Sequence, residues 1–86
     1  MEKYKITIKP SAAKELKDIP QKDFQRITKK IQSLSVNPRP VGCEKLSGQE
    51  KYRFRQGDYR IIYSVDDDIF TVSVVKIGNR REIYKH

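Results

Sequence analysis

The side chains best suited to chemistry in this chain are arginines in its second half. Arg53 and Arg55 stand two positions apart in the alternating segment 51–55, so both project from one face if that segment is a strand. Arg60 follows a three-residue turn at 56–58 and can reach the same face if the strand register allows. Clustered guanidinium groups repel one another and need an anion, for which phosphate is the usual partner. The spacing therefore predicts a phosphate-binding surface.

A simpler interpretation is that these arginines are solvated surface charges. They would then pair with nearby carboxylates, for which the sequence offers Glu44, Glu50, Asp58 and Glu82. This interpretation suits any two arginines. A group of four on one exposed sheet face, with Arg80 as the fourth, instead favours a platform for RNA or DNA. The spacing does not distinguish the two nucleic acids.

Three other ionisable or aromatic residues are candidates for the chemistry. Tyr84 can stack on a base, and His86 titrates near neutral pH and can carry a proton. From spacing alone, a frayed terminal segment is the simpler explanation of both residues. Glu44 can act as a general base only if its loop delivers it to the arginine surface.

Composition excludes several classes of protein. The sequence has 86 residues, a formal net charge of +8, one cysteine (Cys43) and one histidine, so we expect one domain over residues 1–86. A single cysteine makes neither an internal disulfide nor a multi-cysteine zinc site. We also find no membrane span, signal peptide or glycine-rich phosphate loop. We expect a cytoplasmic protein without metal or cofactor.

The first half of the chain predicts one strand and a helical hairpin. Residues 3–9 alternate apolar and polar side chains, as a half-buried strand does. Pro10 begins a helix with Ser11 as its capping residue, and Pro20 begins a second helix. The apolar stripe of the second helix has the spacing 3, 4, 3 and consists of Phe24, Ile27, Ile31 and Leu34.

The second half predicts three strands after a proline-containing loop at 37–42. The strands cover residues 51–55, 59–65 and 69–77, and Gly78-Asn79 ends the last of them. We therefore predict an α+β fold of two layers in the order β-α-α-β-β-β, with a short tail. The helical pair covers one face of an antiparallel meander, and the first strand lies at an edge or beside the last strand.

Four segments together resemble the RelE/ParE superfamily of toxins from type II toxin–antitoxin systems. The segments are 45–48 (Lys-Leu-Ser-Gly), 52–55 (Tyr-Arg-Phe-Arg), 57–63 (Gly-Asp-Tyr-Arg-Ile-Ile-Tyr) and 78–84 (Gly-Asn-Arg-Arg-Glu-Ile-Tyr). The resemblance spans nearly the whole chain and is closer to the RelE branch. It implies the same strand and helix order as the periodicity does.

The RelE branch consists of ribosome-dependent endoribonucleases, or mRNA interferases, which inhibit translation and growth. The resemblance implies that this chain cleaves mRNA in the ribosomal A site without a metal, using the 2′-hydroxyl of the RNA as nucleophile. It implies catalytic roles for Arg53, Arg55, Arg60, Arg80 and Tyr84. Arg60 would hold the scissile phosphate, and Tyr84 would stack on the cleaved nucleotide and orient it. Lys45, Arg81 and Lys85 would contribute to RNA binding.

The sequence departs from the branch at two positions. Lysines usually stand where this chain has Arg53 and Arg55, and a lysine crowded by cations can lose its proton and act as a base. An arginine cannot, because its guanidinium stays protonated at any pH near neutrality. Some relatives use a loop glutamate and a C-terminal histidine, so the resemblance makes Glu44 and His86 the candidate bases.

The resemblance also implies partners. We expect a cognate RelB-like antitoxin, the ribosome and mRNA, with the toxin as a monomer inside a hetero-oligomeric complex. Two alternatives remain. The chain can be a non-enzymatic inhibitor of DNA gyrase in the manner of the ParE branch, or a catalytically weak relative that only binds nucleic acid.

Overall fold

The fold was determined from a computed structural model that describes residues 3–46, 48 and 50–79. The elements in chain order are β1 (Lys5–Ile8), α1 (Pro10–Lys17), α2 (Gln21–Ser33), β2 (Glu44–Lys45), β3 (Lys51–Gln56), β4 (Tyr59–Asp66) and β5 (Thr71–Asn79). The strands form one sheet in the order β1-β5-β4-β3-β2. Among the described residues, no helix is long and apolar enough to cross a membrane.

Strand β1 lies at the edge of the sheet and also beside the last strand, so both alternatives for its position are met at once. It runs parallel to β5, with Lys5 opposite Thr71, and the other neighbouring strands are antiparallel. The predicted alternation holds at its start, where Tyr4 and Ile6 pack against the core. Ile8 is 38% exposed because the strand ends there, at the rim of the sheet.

The two helices pack against one face of the sheet, as the two-layer prediction required. From α2 and its C-terminal end, Ile27, Ile31 and Leu34 are buried, and Phe24 is partly buried against them. Helix α1 contributes Ala12 and Leu16. The residues from the sheet that complete this core are Tyr52, Phe54, Ile61, Tyr63, Val65, Val72, Val74 and Ile77. The two helices therefore do not cover the opposite face of the sheet, which is the face that carries the arginines.

The predicted capping role of Ser11 is wrong. Helix α1 begins at Pro10, and the capping position belongs to Lys9, whose backbone is extended and whose carbonyl accepts the first helical hydrogen bond from the Ala13 N–H (2.9 Å). Proline suits the first helical position because its missing N–H would have no partner there. Ser11 lies inside the helix, and its hydroxyl is 3.4 Å from the Val75 carbonyl, to which it donates.

Two features of the sheet differ from the sequence prediction. Gly78 and Asn79 belong to the last strand and do not break it, because Gly78 pairs with Arg60 and Asn79 with Tyr59 across the ladder to β4. The two-residue strand β2 was not predicted and pairs Glu44 with Arg53. In both cases the local sequence does not favour a strand, and hydrogen bonding to a neighbouring strand keeps these residues in the sheet.

The loop between α2 and β2 is fixed to the sheet by a set of hydrogen bonds that we call the Arg39 clasp (Tyr4, Arg39, Tyr52 and Asp67). The Arg39 guanidinium donates to Asp67 at 2.7 and 3.2 Å and to the Tyr52 hydroxyl at 2.9 Å. The Tyr4 hydroxyl also donates to Asp67, at 2.6 Å. The hydrogen bonds from Arg39 and then from Tyr4 lower the pKa of the Asp67 carboxyl.

Candidate active site

The register between β3 and β4 brings three arginines to the same face of the sheet. Arg55 lies directly opposite Arg60, and Arg53 lies opposite Ile62 on the same ladder. Directly opposite residues of antiparallel strands project to the same side, and so do residues two apart on one strand. Arg53, Arg55 and Arg60 therefore form one group, which we call the arginine cluster. This confirms the predicted shared face.

A tight turn sets this register. Gln56 pairs with Tyr59, so the hairpin loop is the two residues Gly57 and Asp58 and not the three predicted. Gly57 has φ of +61°, a value at which residues with a side chain are strained. Because side chains alternate along a strand, a slip of one residue would place Arg60 on the core face. The turn is thus what keeps Arg55 and Arg60 together.

The three arginines differ in their exposure. Arg55 is exposed, the Arg53 side chain is 27% exposed, and Arg60 is buried at 5% exposure. The prediction of an open arginine face is therefore wrong for Arg60, which is buried where it pairs between β3 and β5. Like charges directly across a ladder repel each other, so the pair of Arg55 and Arg60 favours an anion beside it.

Glu44 lies on the arginine face, which was the condition for its chemical role. It stands opposite Arg53 on β2, and the Arg53 guanidinium donates a hydrogen bond to its carboxylate. This hydrogen bond and the positive charge of Arg53, with smaller contributions from Arg55 and Arg60, lower the pKa of Glu44. Glu44 is consequently held ionised, which makes it a good partner for Arg53 and a poor proton acceptor.

Lys45 does not join the arginine cluster. It follows Glu44 on β2 and pairs with Tyr52, whose side chain faces the core side of the sheet. Its ammonium is 3.9 Å from the Glu50 carboxylate, and both side chains are largely exposed. Such an exposed pair contributes little to stability. The remaining predicted site residues, Arg80, Arg81, Tyr84, Lys85 and His86, lie outside the described residues.

An open cavity of about 280 Å³ borders the arginine cluster and was not predicted from the sequence. Its β3 side is formed by Arg53, Phe54 and Arg55. The residues that close it on the other side are Lys30 from α2, Glu44 from β2, and Pro40, Val41 and Gly42 from the loop between them. No motif marks the loop residues, because their position depends on where β2 begins to pair with β3.

The described residues contain no group of three or more histidine, cysteine, aspartate or glutamate side chains placed to hold a metal ion. Cys43 is a free thiol in a partly buried position, and it packs beside the core. The described part of the site presents the guanidinium groups of the arginine cluster and the ionised carboxylate of Glu44. Such groups bind phosphate and stabilise negative charge that develops on it.

Comparison with known proteins gives one consistent result. A family model described as the ParE toxin of the type II toxin–antitoxin system, parDE, matches residues 6–84. A putative toxin RelE1 from Methanocaldococcus jannaschii is 31% identical over 98% of this chain and 98% of its own length. The toxin RelE from Mycobacterium tuberculosis is 29% identical over 95% of this chain and 87% of its own length.

Solved structures show the same fold. The archaeal RelE–RelB complex from Pyrococcus horikoshii OT3 has a TM-score of 0.83 and 30% identity, over 91% of this chain and 96% of that one. The intact E. coli RelBE toxin–antitoxin complex has a TM-score of 0.78 and 25% identity, over 88% of this chain and 95% of that one. These likenesses confirm the predicted α+β architecture.

Proposed function

This chain belongs to the ParE toxin family of type II toxin–antitoxin systems, and on that premise we propose that it is a RelE-like mRNA interferase that cleaves mRNA on the ribosome. The relatives that favour the RelE branch are the RelE toxins at 31% and 29% identity. The observation that carries the proposal is the arginine cluster, in which Arg53, Arg55 and Arg60 share one face of the sheet. An inhibitor that acts by binding alone has no need of such a cluster.

The proposed reaction uses the RNA as its own nucleophile. The 2′-oxygen forms a bond to the adjacent phosphorus while the bond from phosphorus to the 5′-oxygen of the next nucleotide breaks. The proton of the 2′-hydroxyl goes to a general base, and the leaving 5′-oxygen takes a proton from water, so the products are a 2′,3′-cyclic phosphate and a 5′-hydroxyl. The arginine cluster, with Arg80, would hold the phosphate and stabilise the charge of the five-coordinate intermediate. Tyr84 would stack on the cleaved nucleotide and orient it.

The base in this reaction has two candidates, and the structure bears on one of them. Glu44 reaches the arginine face, but its pKa is lowered by the hydrogen bond from Arg53. A base whose pKa lies far below the working pH accepts a proton weakly. We therefore assign proton transfer to His86 and assign to Glu44 the role of orienting Arg53.

The proposal includes partners and a location. The solved relatives from P. horikoshii and E. coli are complexes of RelE with RelB, so a RelB-like antitoxin is the expected partner of this chain. The exposed cations of α2, Lys22, Arg26 and Lys29, suit an acidic antitoxin segment or RNA. Ribosomes and mRNA are cytoplasmic, and the toxin would act there.

The deciding experiment is primer extension on a reporter mRNA in a cell-free translation reaction, with and without active translation. We expect breaks in phase with codons that disappear when translation is blocked. Arg55→Ala should lower the cleavage rate about 10²- to 10³-fold, the cost of removing one donor that stabilises a developing charge. Lys14→Ala removes an exposed cation from α1 and should cleave like the wild type.

Two results would redirect the proposal. Intact mRNA together with DNA damage in growing cells would favour inhibition of DNA gyrase, in keeping with the ParE name of the matching family model. Intact mRNA and normal growth in cells that lack the antitoxin would leave a protein that only binds nucleic acid.

A further inference from the structure

The cavity beside the arginine cluster exists because β2 pairs with β3 over only two residues, Glu44 and Lys45. Continuing the register backward from Glu44 would place Gly42 beside Arg55, but Gly42 has φ of +97° and Pro40 has no N–H to donate. The loop therefore turns away from the sheet. Among the described residues, no strand covers this side of β3 between Arg53 and the turn at Gly57.

The uncovered main chain points into the cavity. The Leu46 N–H donates to the Lys51 carbonyl at 2.8 Å, so the main-chain groups of Lys51 face the β2 side of the strand. Every second residue of an antiparallel strand faces the same neighbour, which directs the N–H and C=O of Arg55 to this side as well. One donor and one acceptor are thus presented together at the cavity, next to the side chains of the arginine cluster.

The cavity combines three kinds of surface. Val41 is 100% exposed and, with the adjacent Pro40, forms an apolar lip. The ammonium-bearing side chain of Lys30 lies on the helix side, and the ionised carboxylate of Glu44 lies on the β2 side. A nucleotide has a matching part for each surface. The face of its base suits the apolar lip, the edge of its base suits the hydrogen-bonding groups, and its phosphate suits the ammonium.

We propose, on the basis of the proposed function, that this cavity is a subsite for the nucleotide next to the cleaved bond. The base lies against Val41 and Pro40. Its hydrogen-bonding edge meets the main chain of Arg55 and the carboxylate of Glu44, which accepts from an exocyclic amine. The phosphate on its outer side binds Lys30. The subsite would therefore contribute to which codons are cleaved.

Two observations favour a nucleotide over a peptide segment of a protein partner. The uncovered edge of β3 ends at the Gly57 turn, and of its residues Arg55 alone directs its main chain outward, which is too short for an added strand. The carboxylate of Glu44 would repel the acidic side chains that the net charge of +8 otherwise attracts. Lys30 also borders a second cavity with Arg26 and Lys29, where the next phosphates of the strand would lie.

The test measures codon choice in the cell-free translation reaction, by primer extension across a reporter whose codons differ at each position. We expect Val41→Ser to change the relative cleavage of codons that differ at one position by about fivefold, because an apolar contact with that base is lost. Lys30→Ala should lower cleavage about fivefold at all codons, because a phosphate contact carries no sequence information. The matched controls are Val36→Ser and Lys14→Ala, which alter an exposed valine and an exposed lysine outside the cavity.

The outcomes separate this inference from the proposed function. If the wild type cleaves in a translation-dependent way and both cavity variants match their controls in rate and codon profile, the subsite does not exist. If Val41→Ser leaves the codon profile unchanged and weakens binding of the purified antitoxin, the cavity is a peptide site and the inference is wrong. If the wild type makes no translation-dependent cut, the proposed function fails, and the subsite fails with it.

Discussion

At the scale of single residues, the site combines charges whose neighbours determine what each can do. Arg53 binds Glu44 and is held in place by it, Arg55 remains exposed, and Arg60 is buried at the end of the cluster. Guanidinium groups cannot act as bases near neutral pH, so in the proposed function these arginines bind the phosphate. Replacing Arg60 would therefore disturb packing as well as phosphate binding, which makes Arg55 the cleaner position for a mutational test.

The assignment of the base predicts different pH profiles for two variants. Glu44→Gln keeps a side chain that accepts from Arg53, so we expect a rate reduction of less than about tenfold, with the acidic limb of the pH–rate profile unchanged. His86→Gln should cost about 10²- to 10⁴-fold, the usual contribution of a general base, and should remove the acidic limb. The measurement is single-turnover cleavage of ribosome-bound mRNA across the pH range. An acidic limb that disappears in Glu44→Gln would transfer the role to Glu44.

The sequence predicted the arginine face because alternation along a strand is a local property. It did not predict the burial of Arg60, since burial depends on which other parts of the chain pack beside it. The strand of Glu44 and Lys45 is too short to show any periodicity. Gly78 carries a signal for a break, but its pairing with Arg60 extends the strand through it. These errors all concern contacts between residues that are distant in the sequence.

At the scale of elements, the loop between α2 and β2 performs two structural tasks. Its first half is fixed to the sheet, where Arg39 binds Asp67 and the Tyr63 hydroxyl donates to the Pro38 carbonyl at 2.8 Å. Burial raises the pKa of Tyr63, and a side-chain hydrogen bond with Cys43 raises it further. The hydroxyl therefore stays protonated and able to donate. Its second half, 40–42, borders the cavity beside the arginine cluster. Fixing one half of the loop thus positions the other.

The Arg39 clasp predicts a specific dependence of stability on pH. The pKa of Asp67 is lowered in the folded state, so its contribution is present above the pKa of the unfolded state and is lost as the pH falls through the lower, folded-state pKa. We expect Asp67→Asn to be less stable than the wild type at neutral pH and equal to it at strongly acidic pH. Urea unfolding at a series of pH values measures the difference.

Asp68→Asn provides the matched control, because Asp68 lies in the same turn but has no part in the clasp. It should follow the wild-type stability profile. A gap between the wild type and Asp67→Asn that stays constant down to strongly acidic pH would show that the ion pair is not the source of the difference.

At the scale of the whole molecule, the net charge of +8 is unevenly distributed, because some cations are paired with carboxylates and others are exposed. The acidic turn that contains Asp67 lies at the opposite end of β4 from Arg60, so negative charge lies at one end of this strand and the arginine cluster at the other. The clasp neutralises Arg39, whereas Arg55 is exposed. Long-range attraction of a polyanion should accordingly direct it to the arginine end.

This charge distribution predicts the salt dependence of RNA binding. For a short single-stranded RNA with 2′-O-methyl groups, which cannot be cleaved, the logarithm of the binding constant should fall linearly with the logarithm of salt concentration. Each phosphate contact contributes about 0.7 to the slope for a single strand, so Arg55→Ala should reduce the slope by about that amount. Lys14→Ala should leave it unchanged. Fluorescence anisotropy titrations at several salt concentrations provide the slopes, and equal slopes for the wild type and Arg55→Ala would remove Arg55 from the RNA contact.

The parallel pairing of β1 with β5 has a consequence for how the protein is made. Lys5 to Ile8 pair with Thr71 to Val74, so the first strand waits for a partner that is synthesised more than sixty residues later. Segments that leave the ribosome early usually fold first, but here the sheet is complete only when its last strand has emerged. Ordering of β1 is therefore a late event in the folding of this chain, and it completes the five-stranded sheet.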